Sequence, residues 1–106
     1  MLESTRKREL QQAAVHLPAV IEEVEAAVRD RMVLKGMRFD MEVPSHLPKV
    51  MLDKGLMVLA LTNLAVNAIE AMEPTKGVLK ATVIRRSKEL VLGLQDNGKG
   101  LSLIHI

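Results

Sequence analysis

The sequence predicts an α+β fold in which helices pack on one face of a mixed sheet. Two observations carry this prediction. Apolar residues recur at helical spacing over residues 18–35 and 54–72, and they alternate with polar residues over residues 38–43 and 78–95. These segments follow one another as helix, strand, helix, strand, strand, and a chain of 106 residues has room for one small domain.

The first third of the chain is expected to be helical. Residues 3–15 form a weak helical pattern, and Pro18 suits the first turn of a second helix that Gly36 would end. In this second helix Glu25 and Arg29 form an i,i+4 pair of favourable orientation. Its apolar side, which we expect to be buried, comprises Val20, Ile21, Val24, Ala27, Val28 and Met32.

A strand and a long helix are expected next. Residues 38–43 alternate as a half-buried strand does, and residues 49–52 add a short extended piece. Asp53 is well placed to cap the helix, which ends before Glu73 and Pro74. The residues of this helix that we expect to pack into a core are Leu56, Met57, Leu59, Ala60, Leu64, Ala65, Ala68, Ile69 and Met72.

An antiparallel β-hairpin is predicted for residues 78–84 and 89–95, which a polar turn connects. In each run every second residue is apolar, as expected for strands that are buried on one face. The residues expected on that face are Leu79, Ala81 and Val83 in the first run and Leu90, Leu92 and Leu94 in the second.

The composition excludes several classes of protein. Without cysteine the chain has neither disulfides nor thiolate metal sites. The net charge of +2 is too small to indicate nucleic acid, and one Phe with no Trp or Tyr offers no aromatic platform for base stacking. We interpret the basic clusters at residues 6–8 and 85–86 as solvated surface. No signal peptide and no membrane-spanning run are predicted.

The most informative segment is LTNLAVNAIEAM, residues 61–72. Asn63, Asn67 and Glu70 fall in one narrow stripe of this otherwise apolar helix. Asparagine is a poor helix former because its side chain competes for backbone hydrogen bonds. The stripe therefore suggests a site for an ion or for phosphate oxygens. The alternative is an ordinary amphipathic helix whose solvated stripe contains asparagine.

The second informative segment is DNGKG, residues 96–100, directly after the last predicted strand. Alone it is a common turn sequence. However, glycines allow a backbone to approach a ligand closely, and a carboxylate at the end of a buried strand is costly without a donor. The exocyclic amine of a purine would be such a donor.

Together, NLAVNAIEAM and LQDNGKGL resemble the asparagine box and the first glycine box of the GHKL ATP-binding superfamily. The pattern NLxxNAIEAM is most similar to two-component sensor histidine kinases of the nitrogen-regulation subgroup. The resemblance covers about residues 37–100. It implies a Bergerat-type fold, a two-layer α/β sandwich, which is expected to be incomplete here because the family's lid and second glycine-rich box do not follow.

Residue by residue, the resemblance implies a site for ATP and Mg²⁺. Asn67 would be the magnesium ligand that bridges to the phosphates, and Asn63 would assist in holding the metal or the phosphates. Asp96 would accept the adenine amino group. Gly98 and Gly100 would line the base pocket and begin the lid. A magnesium site that phosphates and waters complete agrees with the preferences of that ion.

Position 63 distinguishes transfer from hydrolysis. In the hydrolysing branches of the superfamily the corresponding residue is usually a Glu that activates water, whereas Asn63 cannot act as a general base. The resemblance therefore implies a phosphotransfer kinase. We interpret Glu70 as structural or supporting, Asn97 as shaping the loop and Lys99 as solvated.

The implied function is transfer of the ATP γ-phosphoryl to a histidine outside this chain, in two-component signalling. His16, followed by Leu and Pro, and His46, in a loop between prolines, do not fit a phosphoacceptor, so no catalytic residue is assigned. We expect the chain alone to be inactive and to bind ATP weakly or not at all. Two alternatives stay open: a serine kinase of the same fold that acts on a regulator, and a degenerate, non-catalytic interaction module.

The chain is expected to divide into three parts. Residues 1–17 would be the end of a dimerisation or linker helix, and residues 18–100 the N-terminal part of the kinase ATPase domain. Residues 101–106, LSLIHI, resemble the translation of a sequencing-library adapter and are expected to be a non-native tail. The resemblance also implies a response regulator as partner of the intact kinase and a homodimer through helices mostly outside this chain. We expect a cytoplasmic location, with no nucleic acid and no membrane contact by this segment; membrane anchoring of the parent protein is left open.

Overall fold

The computed structural model describes residues 10–97 and 100–106. Within this part of the chain, four strands form the main sheet in the order β2-β4-β5-β6, and β1 pairs with β3 in a separate ribbon. The two helices pack against each other and against the main sheet. The elements in chain order are β1 (Ala13–Val15), α1 (Leu17–Leu34), β2 (Arg38–Glu42), β3 (Val50–Leu52), α2 (Lys54–Ala71), β4 (Val78–Arg86), β5 (Glu89–Asp96) and β6 (Gly100–His105).

The main sheet is mixed, as predicted. β2 runs parallel to β4, whereas β4 with β5 and β5 with β6 are antiparallel. Residues that pair directly across antiparallel strands share a face. The face that the helices cover therefore carries the two apolar rows predicted for the hairpin, and all of these residues are buried: Leu79, Ala81, Val83, Leu90, Leu92 and Leu94. The predicted α+β fold with helices on one face is confirmed.

Helix α1 begins at Leu17, with Pro18 in its first turn, and Gly36 beyond its end has a φ of 64°. That positive φ is the conformation in which glycine commonly ends a helix. The predicted pair of Glu25 and Arg29 is present: Arg29 Nη2 donates a hydrogen bond to Glu25 Oε1 at 2.6 Å. The expected apolar side is buried except for Ala27, which is exposed.

Helix α2 begins with the predicted cap, in which the Asp53 side chain accepts a hydrogen bond from Leu56 N. Its fully buried stripe is Leu61, Ala65 and Ile69, which follow one another at intervals of one turn. The expectation that Leu59 and Ala60 pack into the core is wrong, since Leu59 is 58% exposed and Ala60 is also exposed. Only one stripe of α2 faces α1 and the sheet, and Leu59 lies roughly 200° around the helix from Leu61.

Helix α2 is also long and apolar enough to cross a membrane by length and composition alone. Its packing gives it another role, because Leu61, Ala65 and Ile69 lie in the same core as the residues of α1 and the sheet. Asn63 and Asn67 add polar groups to its exposed side.

The prediction of a helix over residues 3–15 is wrong for residues 10–15, which are the part of that segment that the structure describes. Residues 10–12 have no regular structure, and Ala13–Val15 is a strand that pairs antiparallel with Val50–Leu52. The weak apolar pattern gives a helix no face to bury, whereas as a strand the segment places Val15 in the core, 7% exposed. Residues 1–9 lie outside the described part of the chain.

Residues 100–105 form the strand β6, which was not predicted. It pairs with β5 in a register that puts Ser102 opposite Leu94 and Ile104 opposite Leu92. Ser102 and Ile104 are half-buried toward the helices, while Leu101 and Leu103 are exposed on the other face. The expectation that residues 101–106 are a non-native tail stays a prediction.

Candidate active site

Two adjoining clefts open where the C-terminal half of α2 faces the end of β5. Both are lined by Ala71, Asp96 and Gly100. The first, the turn cleft, has a volume of about 370 Å³ and is also lined by Met72, Glu73, Lys76 and Asn97. The second, the amide cleft, has a volume of about 240 Å³ and is also lined by Leu64, Asn67, Ala68, Leu94, Leu101 and Ser102.

Asp96 lies between the two clefts. It ends the apolar row of β5 on the helix-covered face, opposite Leu79 of β4, and it is half-buried. Its Oδ1 accepts a hydrogen bond from Gly100 N at 2.6 Å. In the part of the chain that the structure describes, Oδ2 accepts no hydrogen bond, so one oxygen of a partly desolvated carboxylate is available to a donor on a ligand.

Gly100 lies tightly against the Asp96 carboxylate. A Cβ at position 100 would lie 3.0 Å from Asp96 Oδ1 and 3.2 Å from Oδ2. A side chain would therefore crowd both oxygens of the carboxylate and force it to shift. Of the other residues in the predicted glycine loop, Gly98 and Lys99 lie outside the described residues.

The predicted amide stripe lies on the solvent side of α2. Asn63, Asn67 and Glu70 are all exposed, as a stripe opposite the buried one requires. Asn67 lines the amide cleft together with Asp96 and Gly100. Asn63 lies one turn earlier and is outside the lining of that cleft, so the structure brings together three of the predicted site residues and leaves Asn63 at a distance along the helix.

The oxygen atoms at the amide cleft suit a metal ion that binds together with a nucleotide. Among residues 10–97 and 100–106, no group of three or more His, Cys, Asp or Glu side chains could hold a metal ion. At the amide cleft the chain offers the amide oxygen of Asn67 to a metal ion, and the Asp96 carboxylate, which lines the same cleft, is left for a donor on the base. Mg²⁺ commonly takes one or two protein oxygens and completes its shell with phosphates and waters, so these residues fit a magnesium–nucleotide.

The sequence did not reveal how Asn97 fixes the site. Its Oδ1 accepts a hydrogen bond from Val78 N at 2.9 Å, and its Nδ2 donates to Lys76 O at 3.0 Å. Its own backbone N donates to Val78 O at 3.1 Å, and its φ is 44°. Asparagine tolerates this left-handed conformation better than most residues, and that preference was the only signal available in the sequence.

Comparison with known proteins gives structural similarity only. No family model matches the chain, and no curated protein matches it in sequence. Three solved structures illustrate what it resembles. Histidine kinase ThkA, in complex with the response regulator TrrA, has a TM-score of 0.76 at 24% identity over 90% of this chain. Acinetobacter baumannii histidine kinase AdeS has a TM-score of 0.74 at 25% identity over 95% of it. Full-length ShkA with AMPPNP has a TM-score of 0.73 at 23% identity over 86% of it.

These similarities define the class of the fold. It is the α+β fold of the catalytic domains of sensor histidine kinases, and the fold implied by the sequence resemblance is confirmed. The chain spans 28% of the ThkA chain, 49% of the AdeS chain and 19% of the ShkA chain. The nitrogen-regulation subgroup and the roles of individual site residues stay predictions.

Proposed function

We propose that this chain is part of the ATP-binding, catalytic domain of a sensor histidine kinase. The observation that carries the proposal is the amide cleft. It brings Asn67, from the C-terminal half of a helix, to the same cleft as Asp96 and Gly100, from the end of a strand and the start of the next. These residues belong to the two separate segments whose combination resembles the nucleotide site of the superfamily.

In the proposed complex Asp96 accepts a hydrogen bond from the 6-amino group of adenine through the oxygen to which Gly100 N does not donate. Gly98 and Gly100 would leave room for the base. Asn67 supplies an amide oxygen to Mg²⁺, and Asn63, one turn away, reaches further along the phosphates. Mg²⁺ between the phosphates would neutralise their charge, which is the main requirement of phosphoryl transfer.

The reaction of the intact kinase would be transfer of the γ-phosphoryl to a histidine outside this chain. AMPPNP in the ShkA structure and the response regulator in the ThkA structure support ATP and a response regulator as partners of such a protein. Asn63 favours transfer over hydrolysis, because an amide cannot take a proton from water. A serine kinase that acts on a regulator has the same requirements, and an acceptor-histidine helix in the parent gene would distinguish the two.

The remaining features of the proposal concern the parent protein. We place residues 18–100 in the ATPase domain, residues 1–17 at its junction with a dimerisation region, and the segment in the cytoplasm. The similarity to catalytic domains of histidine kinases supports that location. The homodimer would form through helices mostly outside this chain.

The proposal is tested by comparing nucleotide binding of Asp96→Asn with that of the wild type. The amide keeps the shape of the carboxylate but has one acceptor oxygen instead of two and no charge. Because the chain itself forms the amide cleft, we expect weak rather than absent binding of magnesium–ADP to the wild type, measured by amide chemical-shift changes at millimolar nucleotide, and a loss of about tenfold in affinity for the variant. Asp30→Asn is the matched control, because Asp30 is an exposed carboxylate on α1.

Two outcomes would overturn the proposal. The first is a wild-type chain whose cleft residues show no change up to the highest soluble nucleotide concentration, which would favour a degenerate interaction module. The second is a folded Asp96→Asn chain that binds ADP as tightly as the Asp30→Asn control does.

A further inference from the structure

We infer that Asn97 is a positioning residue that sets the preference of the base pocket for adenine over guanine. The inference rests on the proposed function, since it takes Asp96 as the acceptor of the adenine amino group. It goes beyond that proposal because Asn97 itself makes no contact with the nucleotide. Its role is to hold the segment that carries Lys76 against the segment that carries Asp96.

The argument begins with the bonds that Asn97 makes. Through its side chain and its backbone N–H it makes three hydrogen bonds to residues 76–78, at 2.9, 3.0 and 3.1 Å. Asp96, the residue before Asn97, is itself placed by its pairing with Leu79 in the β4–β5 ladder. The bonds of Asn97 extend this ladder to Val78 and Lys76, so they set how the segment before β4 lies beside Asp96.

The segment before β4 is anchored on its other side to the end of α1. Thr75 N donates to Lys35 O at 2.7 Å, and Thr75 has a φ of 68°. A Cβ at Gly77 would lie 2.8 Å from Met37 Sδ, so this segment already lies tightly against Met37. The segment that carries Lys76 is thus held to the end of α1 and to Met37 as well as to β5. Asn97 adds a direct link from Lys76 O to the residue that follows Asp96.

This link matters for base selection because Lys76 and Asp96 line the same cleft. The turn cleft is lined by Glu73 and Lys76 from the segment before β4, and by Asp96, Asn97 and Gly100 from the end of β5 and the start of β6. Adenine presents a donor at its 6 position and guanine an acceptor, so a fixed carboxylate favours the first and repels the second. If the Asp96 carboxylate can shift relative to Lys76 and Glu73, part of the preference for adenine over guanine is lost. Guanine can then enter the cleft without placing its 6-oxygen against the carboxylate.

The alternative is that Asn97 only forms a turn. Ser87 provides the comparison, because it also is a non-glycine residue with positive φ, 50°, in a turn that joins β-strands. It lies at the opposite end of β5 from Asp96. If Asn97 were only a turn residue, the two positions would respond alike to substitution by glycine, which relieves the backbone strain at both.

The experiment compares the wild type, Asn97→Gly and Ser87→Gly as full 106-residue chains. Amide chemical shifts are followed during titration with magnesium–ADP and, separately, magnesium–GDP, and the ratio of the two affinities is the readout. We expect the ADP preference to fall by about tenfold in Asn97→Gly, the factor that one hydrogen bond commonly contributes, and to be unchanged in Ser87→Gly. A role in stability alone would lower both affinities together and leave their ratio unchanged.

Asn97→Asp provides a second variant in case the glycine variant does not fold. It tolerates the same φ and keeps the acceptor for Val78 N, but it replaces the donor to Lys76 O by an oxygen that repels it. It should therefore also lose ADP preference. A wild-type ratio in either folded variant would overturn the role of Asn97, whereas a wild type that does not prefer ADP would overturn the adenine site itself.

Discussion

Replacing Asp53 by alanine should destabilise the domain more than replacing any exposed polar residue does. Asp53 is 7% exposed and joins two parts of the chain that are distant in sequence. Its Oδ1 accepts from Leu56 N at 3.1 Å, which caps α2, and its Oδ2 accepts from Gln11 N at 2.9 Å, which holds the segment before β1. Asp53 therefore connects the N-terminal segment to the helix that carries Asn67.

The magnitude follows from the two bonds. Loss of a helix cap costs about 1 kcal/mol, and loss of a hydrogen bond to a charged group costs about 1.5–3 kcal/mol. We therefore expect Asp53→Ala to lower the free energy of unfolding by about 3 kcal/mol, which for a domain of this size corresponds to a Tm lower by roughly 10–20 °C. Asp30→Ala, an exposed carboxylate on α1, should change it by no more than about 0.5 kcal/mol.

Urea unfolding followed by circular dichroism measures both variants, and a double-mutant cycle separates the two bonds. Gln11→Pro removes the N–H that donates to Asp53 and also restricts the backbone at positions 10 and 11, so the coupling measured in the cycle, not the effect of the single variant, reports on this bond. The effects of Gln11→Pro and Asp53→Ala should be non-additive by about the value of that one bond. An Asp53→Ala chain as stable as the Asp30→Ala control would refute the reasoning.

Two further predictions concern the loop and the surface. Gly100→Ala should weaken magnesium–ADP binding about tenfold in the same chemical-shift titration, because the new methyl crowds both oxygens of Asp96; unchanged affinity in the folded variant would contradict this. The hydrogen bond from Arg29 lowers the pKa of Glu25, so the stability it contributes is present above the ordinary carboxyl pKa of 4.5 and is lost as the pH falls through the lowered value. In urea titrations the difference between wild type and Glu25→Gln should thus shrink on acidification, and a difference that grows would oppose this assignment.

The sequence predicted the elements that bury one regular face. The buried rows of β4 and β5 alternate with a period of two, and the buried stripe of α1 recurs with the period of a helix. In both cases the burial of one face sets the spacing of the apolar residues. Asp53 was recognised as a cap because its position before an apolar helix makes that role specific. The cleft residues Asn67, Asp96 and Gly100 were found because two distant motifs were considered together.

Features that depend on tertiary pairing could not be predicted in this way. Residues 13–15 are only three residues, all of them apolar, so they show no alternation, and we attribute their strand to the partner that residues 50–52 offer. The parallel pairing of β2 with β4 connects segments separated by a helix. The bonds of Asn97 to residues 76–78 likewise join positions that no local pattern relates.

The central claim is that the amide cleft holds a magnesium–nucleotide. The most direct measurement is a map of backbone amide chemical-shift changes over the whole chain during titration with magnesium–ADP. The account predicts that the largest changes fall at Asn67, Asp96 and Gly100, with little change at Ser87 at the far end of the hairpin. Changes that are absent, or that are as large around Ser87 as around Asp96, would contradict it.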